Sequence, residues 1–226
     1  MADVHVVRVF VGPGGAGGNE LAVYLEGNKV PPEKRLAVTA ELGFSETVFV
    51  DDLETARIAI FVPAVELPFA GHPTVGTSWL LAEIGRPVSV LRPPAGDVPT
   101  WRDGDSTWIR AQPAWVDFPV LPRFVEYPAT HDVDSLPART SEPWLYAWAW
   151  EDEPSGRMRS RSFPTWAGIP EDEASGAAAV LVGDRLRRPL TIRQGVGSEI
   201  RVQPGPDGTV EVGGACALVE IRNYAL

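Results

Sequence analysis

Phe69-Ala70-Gly71-His72-Pro73-Thr74-Val75-Gly76 is a loop running into an apolar helix, and its reading decides the fold. From Thr74 to Ile84 the segment is apolar nearly all round, with Val75, Trp79, Leu80, Leu81, Ala82 and Ile84, and a helix of that kind is buried. A second such helix is predicted from Ala177 to Val182, entered through Gly168-Ile169-Pro170-Glu171-Asp172-Glu173-Ala174-Ser175-Gly176. Helix N-termini carry unpaired N–H groups and partial positive charge, so two of them facing each other hold a small anionic ligand. With Ser45-Glu46-Thr47 upstream, Glu46, His72 and Asp172 are then the groups available for proton chemistry.

Working outward, strands are predicted at Val4–Val11, Leu21–Leu25, Thr47–Val50 and Ala56–Phe61, where β-branched and aromatic residues gather. Pro31-Pro32-Glu33 opens a helix that Gly43 ends. The Pro/Gly-rich stretch Val88–Asp103 marks a boundary between a lobe of residues 1–100 and one of 101–226. Beyond it, strands are predicted at Trp108–Ala111, Trp115–Phe118, Trp144–Trp150, Leu190–Gln194, Glu199–Gln203 and Thr209–Val219, and Leu121–Glu142 has no assigned element. Each half thus offers several strands and one apolar helix. The predicted fold class is α+β, two similar lobes, each a curled, mostly antiparallel sheet around a central apolar helix.

The 226 residues are 44 % hydrophobic and 22 % charged, the composition of a globular chain. A net charge of −10, with no Lys/Arg cluster beyond the mixed Arg157-Met158-Arg159-Ser160-Arg161, argues against nucleic acid or an anionic membrane as partner. The eight Trp residues then read as core and rim packing. No apolar run approaches the ~18 residues that span a bilayer, and no secretory signal is read at the start, so a cytoplasmic protein is expected. Cys216 is the single cysteine. With three His, this makes a metal site unexpected, and no cofactor is predicted. Gly12 to Asn19 lacks the Lys-Ser/Thr of a phosphate loop and reads as a backbone turn.

Taken one at a time these residues have plainer readings. Glu46 alone is a solvated carboxylate at a strand entry, His72 a structural histidine, and Asp172 one of the acids favoured near a helix N-terminus. Their order and spacing carry more.

The chain resembles the PhzF-like family of phenazine biosynthesis, which shares the diaminopimelate epimerase fold. The family's Ser-Glu-Thr-x-Phe-Val stands intact as Ser45-Glu46-Thr47-Val48-Phe49-Val50. Its Phe-Thr-Pro-x-x-Glu-Leu-x-x-x-Gly-His-Pro/Ala-Thr appears as Phe61-Val62-Pro63 through Glu66-Leu67 to Gly71-His72-Pro73-Thr74. Its Gly-Asn-Pro is Gly18-Asn19-Glu20, without the Pro, and its second-half signature is the altered run Gly168–Ala178. The likeness covers residues 4–85 and about 156–219, and the second lobe is the shortened one.

The resemblance implies that Glu46 is the acid/base residue, with His72 and Asp172 beside the substrate. It places Asn19, Ser45, Gly71, Pro73, Thr74, Gly176 and Ala177 around that substrate, with N–H groups of Gly71-His72 and Gly176-Ala177 on its carboxylate. Two-thiol racemisation is excluded by the count of cysteines. The function expected is a cofactor-independent isomerase moving a proton between carbons of a small anionic or carboxylate-bearing substrate. Its alternatives are a single-base cyclase or lyase on the same site, and a non-catalytic ligand-binding protein. A base that takes a carbon-bound proton needs burial to bring it near neutral poise, and Glu46 is expected to be so raised. Glu173, where the family has Pro, is expected to add negative charge near the site. A homodimer is expected from the family and from the aromatic run Trp144, Tyr146, Trp148 and Trp150, read as an exposed patch.

Overall fold

A computed structural model of the chain describes residues 2–138 and 143–224. The elements in order are β1 (Ala2–Val11), β2 (Asn19–Tyr24), α1 (Pro32–Leu42), β3 (Glu46–Asp52), β4 (Arg57–Val62), β5 (Val65–Leu67) and α2 (Gly71–Glu83). Then come β6 (Val90–Leu91), β7 (Val98–Asp103), β8 (Ser106–Ala111), β9 (Arg123–Glu126), α3 (Thr130–Asp134) and β10 (Leu145–Asp152). The chain continues through β11 (Arg157–Phe163), α4 (Gly176–Leu186), β12 (Leu190–Gln194), β13 (Ser198–Pro204) and β14 (Val210–Tyr224).

The strands run in the order β5-β4-β3-β2-β1-β14-β13-β12-β11-β10-β9, with the β6-β7-β8 meander joined to β14 through β8. Pairing is parallel at β2–β3, β9–β10 and β11–β12 and antiparallel at the other strand pairs described. The long β14 holds the two lobes together. Its first half pairs with β8 and β13, and from Ala215 to Tyr224 it runs beside β1.

The predicted two-lobe α+β architecture is the one observed. Helix α2 packs on β1, β2, β3, β7, β8 and β14, and α4 on β13 and β14. Val75, Leu80 and Leu81 of α2 share one core with Ala178, Ala179, Val180 and Val182 of α4. A shorter helix covers the outside of each lobe. Helix α1 contributes Val38 to a cluster with Tyr24, Phe49 and Phe61, and α3 contributes Val133 to one with Leu145, Ala147 and Phe163.

Several local expectations are corrected. Trp115–Phe118 is not a strand: Pro113 opens a short helical turn there, since proline lacks the N–H a ladder needs. Strands β5, β6, β7, β9 and β11 have no counterpart among the predicted elements. In β11 the arginines of the mixed 157–161 run alternate to one face, where Arg159, itself buried, pairs with Asp134 and Arg161 with Glu171, while Met158, Ser160 and Ser162 are buried on the other. Alternation of charge with small residues hides a strand whose charged face is paid off in ion pairs. The unassigned stretch 121–142 contains β9 and α3, and its residues 139–142 lie outside those described. The 100/101 division falls inside β7.

The aromatic run of β10 is not an exposed patch. Trp144, Tyr146 and Trp148 are buried and face the central core, because alternate residues of a strand share one face.

Candidate active site

Helices α2 and α4 meet head to head. A Cβ on Gly176 would lie 2.4 Å from the His72 backbone nitrogen, and one on Gly71 would lie 2.8 Å from the Gly176 carbonyl carbon. Glycine alone permits that approach, which real Cβ contacts do not reach. Neither helix end is capped by a side chain. Ala70 has nothing to offer, and Ser175, at the N-cap of α4, makes no cap bond. Ser175 donates its hydroxyl to Asp172 instead. Two sets of helix N–H groups are therefore left without side-chain caps at one point, the arrangement that receives an anion.

A cavity opens at this junction. It is small, with a volume of about 40 Å³. Its lining includes Glu46, Gly71, His72, Asp172, Ser175, Gly176 and Ala177, with an apolar wall containing Phe118, Trp144 and Trp166. Among the described residues no Lys or Arg lines it.

Glu46 enters at the first residue of β3, and His72 at the second of α2. His72 Nδ1 lies 3.2 Å from Glu46 Oε2, with the imidazole 2 % exposed and the carboxylate 13 %. The approach is that of an ion pair but off the line of a hydrogen bond: both His72 ring nitrogens and Glu46 Oε2 are buried without a hydrogen-bond partner among the described residues. Buried polar atoms are seldom left so, and three together mark a place a ligand would complete.

Asp172 is held more fully. Asn19 Nδ2 donates to its Oδ1 at 2.6 Å, Ser175 to its Oδ2, and Gln194 Nε2 to its backbone carbonyl at 2.9 Å. Its own N–H donates to the Ser162 carbonyl at 2.9 Å. Of the other residues expected around the substrate, Gly71, Gly176 and Ala177 line the cavity. Asn19 instead orients Asp172, and Ser45 donates to Asn19 Oδ1 at 3.3 Å. Pro73 and Thr74 are buried in the first turn of α2, Thr74 Oγ1 donating to the Ala70 carbonyl at 2.7 Å.

The two carboxyls are pushed apart, and not as expected. Burial raises Glu46, but the adjacent His72 imidazole, with a smaller contribution from Ser45, outweighs it and leaves Glu46 below the usual carboxylate range. The raised carboxyl is Asp172, at about 6, through burial and the nearby Glu46 charge. Glu173 is corrected too. Its carboxylate is turned away from the cavity lining, accepting from Val196 N at 2.9 and 3.0 Å and from Ser198 Oγ at 2.7 Å.

Sequence reading missed the orienting residues Ser175 and Gln194 and the ring wall of Phe118, Trp144 and Trp166. Ser175 carried a signal, an N-cap residue beside Asp172. The rings read as packing. Among the described residues no group of three or more His, Cys, Asp or Glu converges as a metal set, and no helix is long and apolar enough to cross a membrane.

A two-lobe fold with two central helices abutting at their N-termini over a buried Glu–His pair defines the class. The family model of phenazine biosynthesis-like proteins matches residues 12–139, and the chain belongs to that family, PhzC-PhzF. An uncharacterized isomerase from Pasteurella multocida is 37 % identical over 81 residues, 34 % of this chain. The chain spans 28 % of that relative's length. The trans-2,3-dihydro-3-hydroxyanthranilate isomerase of Pseudomonas fluorescens is 29 % identical over 228 residues, 79 % of this chain and 81 % of that one. A crystal structure of a PhzF-family phenazine biosynthesis protein from Bacillus anthracis superposes with a TM-score of 0.74 at 18 % identity, covering 100 % of this chain and 99 % of that one. That likeness is one of fold.

Proposed function

We propose that this chain is an isomerase that moves a proton between carbons of a small carboxylate substrate, with Glu46 as the single acid/base residue and no cofactor. The observation that carries the reading is the 3.2 Å approach of His72 Nδ1 to Glu46 Oε2 beside the Gly71–Gly176 helix junction. Isomerase is also the activity by which the Pasteurella and Pseudomonas relatives are named.

The substrate carboxylate sits on the N–H groups of Gly71-His72 and Gly176-Ala177. Glu46, ionised because His72 holds its pKa down, takes the proton from an activated C–H and returns it at a second carbon. The negative charge that forms on the substrate meanwhile is stabilised by the two helix N-termini and by His72. Asp172, raised to about 6, holds a proton over the range in which Glu46 has lost its own. Environments that separate two carboxyls in this way divide base from acid. Asn19, Ser175 and Gln194 position Asp172.

The protein is proposed to be cytoplasmic, on its single cysteine, and to be a homodimer. The buried β10 aromatics no longer support the dimer, and exposed Leu218, Val219 and Ile221 on β14 take their place as its apolar contact. Sedimentation velocity tests it, and a monomer at high concentration removes it.

The test of mechanism is solvent-deuterium incorporation into candidate cyclic and unsaturated carboxylates, read by mass spectrometry. Glu46→Gln keeps size and hydrogen bonding but cannot carry the proton. Exchange is expected to fall by about 10²–10⁴-fold with folding unchanged, and wild-type exchange by Glu46→Gln refutes the assignment.

A further inference from the structure

Beyond the proton-transfer residues the cavity is walled by three rings from three separate stretches of chain. The Phe118 and Trp144 centroids lie 6.0 Å apart, Phe118 and Trp166 5.7 Å, and Trp144 and Trp166 6.4 Å. The two indoles differ in one respect. Trp144 Nε1 donates to Ser162 Oγ at 2.9 Å, so its polar edge is used within the protein. Trp166 Nε1 is buried and has no hydrogen-bond partner among the described residues. A buried N–H left unpaired is costly, and tryptophan is a donor only, so what completes it must offer an acceptor.

We propose that Trp166 is a specificity-determining residue of this site. Its ring, with Phe118, covers a flat ligand whose carboxylate lies at the Gly71–Gly176 junction, and its Nε1–H donates to a neutral oxygen on the ligand elsewhere. This rests on the carboxylate seat proposed above. Flatness follows from the aromatic rings of Phe118, Trp144 and Trp166 that wall the cavity, against which a planar group packs best. Neutrality follows from charge: among the described residues no Lys or Arg lines the cavity, so a second carboxylate against the rings would be buried without a counter-ion from them. The ligand class is therefore a planar monocarboxylate bearing a hydroxyl, ether or carbonyl oxygen.

Four probes test this on ¹⁵N-labelled protein: benzoate, 3-methoxybenzoate, 4-methoxybenzoate and isophthalate. The Trp166 indole signal is identified by its loss in Trp166→Phe. The expected result is that the Gly71 and Gly176 amide signals shift with benzoate and both methoxybenzoates, and that the Trp166 indole N–H moves downfield with at least one methoxybenzoate but not with benzoate. That methoxybenzoate binds about 5- to 10-fold more tightly than benzoate. The preference disappears in Trp166→Phe, and isophthalate binds more weakly than benzoate. An indole signal unmoved by both methoxybenzoates, a preference that survives in Trp166→Phe, or isophthalate binding best overturns the role of Trp166 while leaving the carboxylate seat standing. Gly71 and Gly176 amides unmoved by every probe overturn the seat itself, and the role of Trp166 with it.

Discussion

Gly71 and Gly176 face each other with no room for a side chain between them, so the first turns of α2 and α4 touch backbone to backbone. This contact sets the spacing of the N–H groups and, through the next residue on α2, the position of His72 against Glu46. The candidate site is a consequence of two helices meeting end to end.

Gly176→Ala places a methyl group 2.4 Å from the His72 nitrogen, and backbone cannot yield as a flexible side chain does. The helix ends are expected to separate at a cost of about 1–3 kcal/mol in stability. Affinity for carboxylate probes is expected to fall with it. Urea unfolding measures the first and probe titration the second. Wild-type values of both would show that the contact is dispensable.

The pH dependence of stability has opposite signs at the two carboxyls. Asp172 is raised from 3.8 to about 6, so the folded protein keeps a proton that the unfolded chain releases. Its contribution is present below pH ~4 and is lost as pH rises through about 6, an effect of ~3 kcal/mol. Asp172→Asn mimics the protonated acid and is expected to flatten that decline, so that the variant is the more stable at pH 7. Glu46 is lowered, so its contribution is present above the ordinary carboxylate value and is lost as pH falls through the folded one. Unfolding curves across pH 3–8 for both proteins check the signs; a parallel decline in Asp172→Asn assigns it to other groups.

Glu173 ties the β12–β13 turn to the strand-like bridge that carries Asp172. It accepts from Val196 N and Ser198 Oγ, and Ser198 Oγ in turn accepts from Gly18 N at 2.8 Å. Glu173→Ala is expected to cost ~1 kcal/mol and to speed hydrogen exchange at the Val196 amide. Unchanged exchange there would mean that the turn is held by its own backbone.

Cys216 is half-buried on β14, where the loss of water pushes its thiol up to about 12. The thiolate is the reactive form, so iodoacetamide at pH 8 is expected to leave the folded protein unmodified and to alkylate it in urea. Cys216→Ala is expected to keep wild-type activity. Rapid native alkylation with loss of activity would return the thiol to the chemistry.

What the sequence determined by itself was whatever rests on local pattern. Two helices apolar on every side had to be central, because no face of either suits water. Ser45-Glu46-Thr47 and Gly71-His72-Pro73-Thr74 stand at element entrances, and it is the resemblance carried by these runs and by Gly168–Ala178, not periodicity, that singles out Glu46, His72 and Asp172. The tertiary structure decided the rest, because it depends on distances between residues far apart in the chain. Which carboxyl is raised turns on His72 lying 3.2 Å from Glu46, 26 positions away, and on the burial of Asp172 near the Glu46 charge. Asn19 binds Asp172 from 153 positions off, and turns from the cavity to a positioning role that its neighbours in sequence do not disclose. The ring wall gathers Phe118, Trp144 and Trp166 from segments with no shared periodicity, so nothing local distinguished them from core. Burial and electrostatic environment are properties of the packed chain, and they fix what each side chain can do.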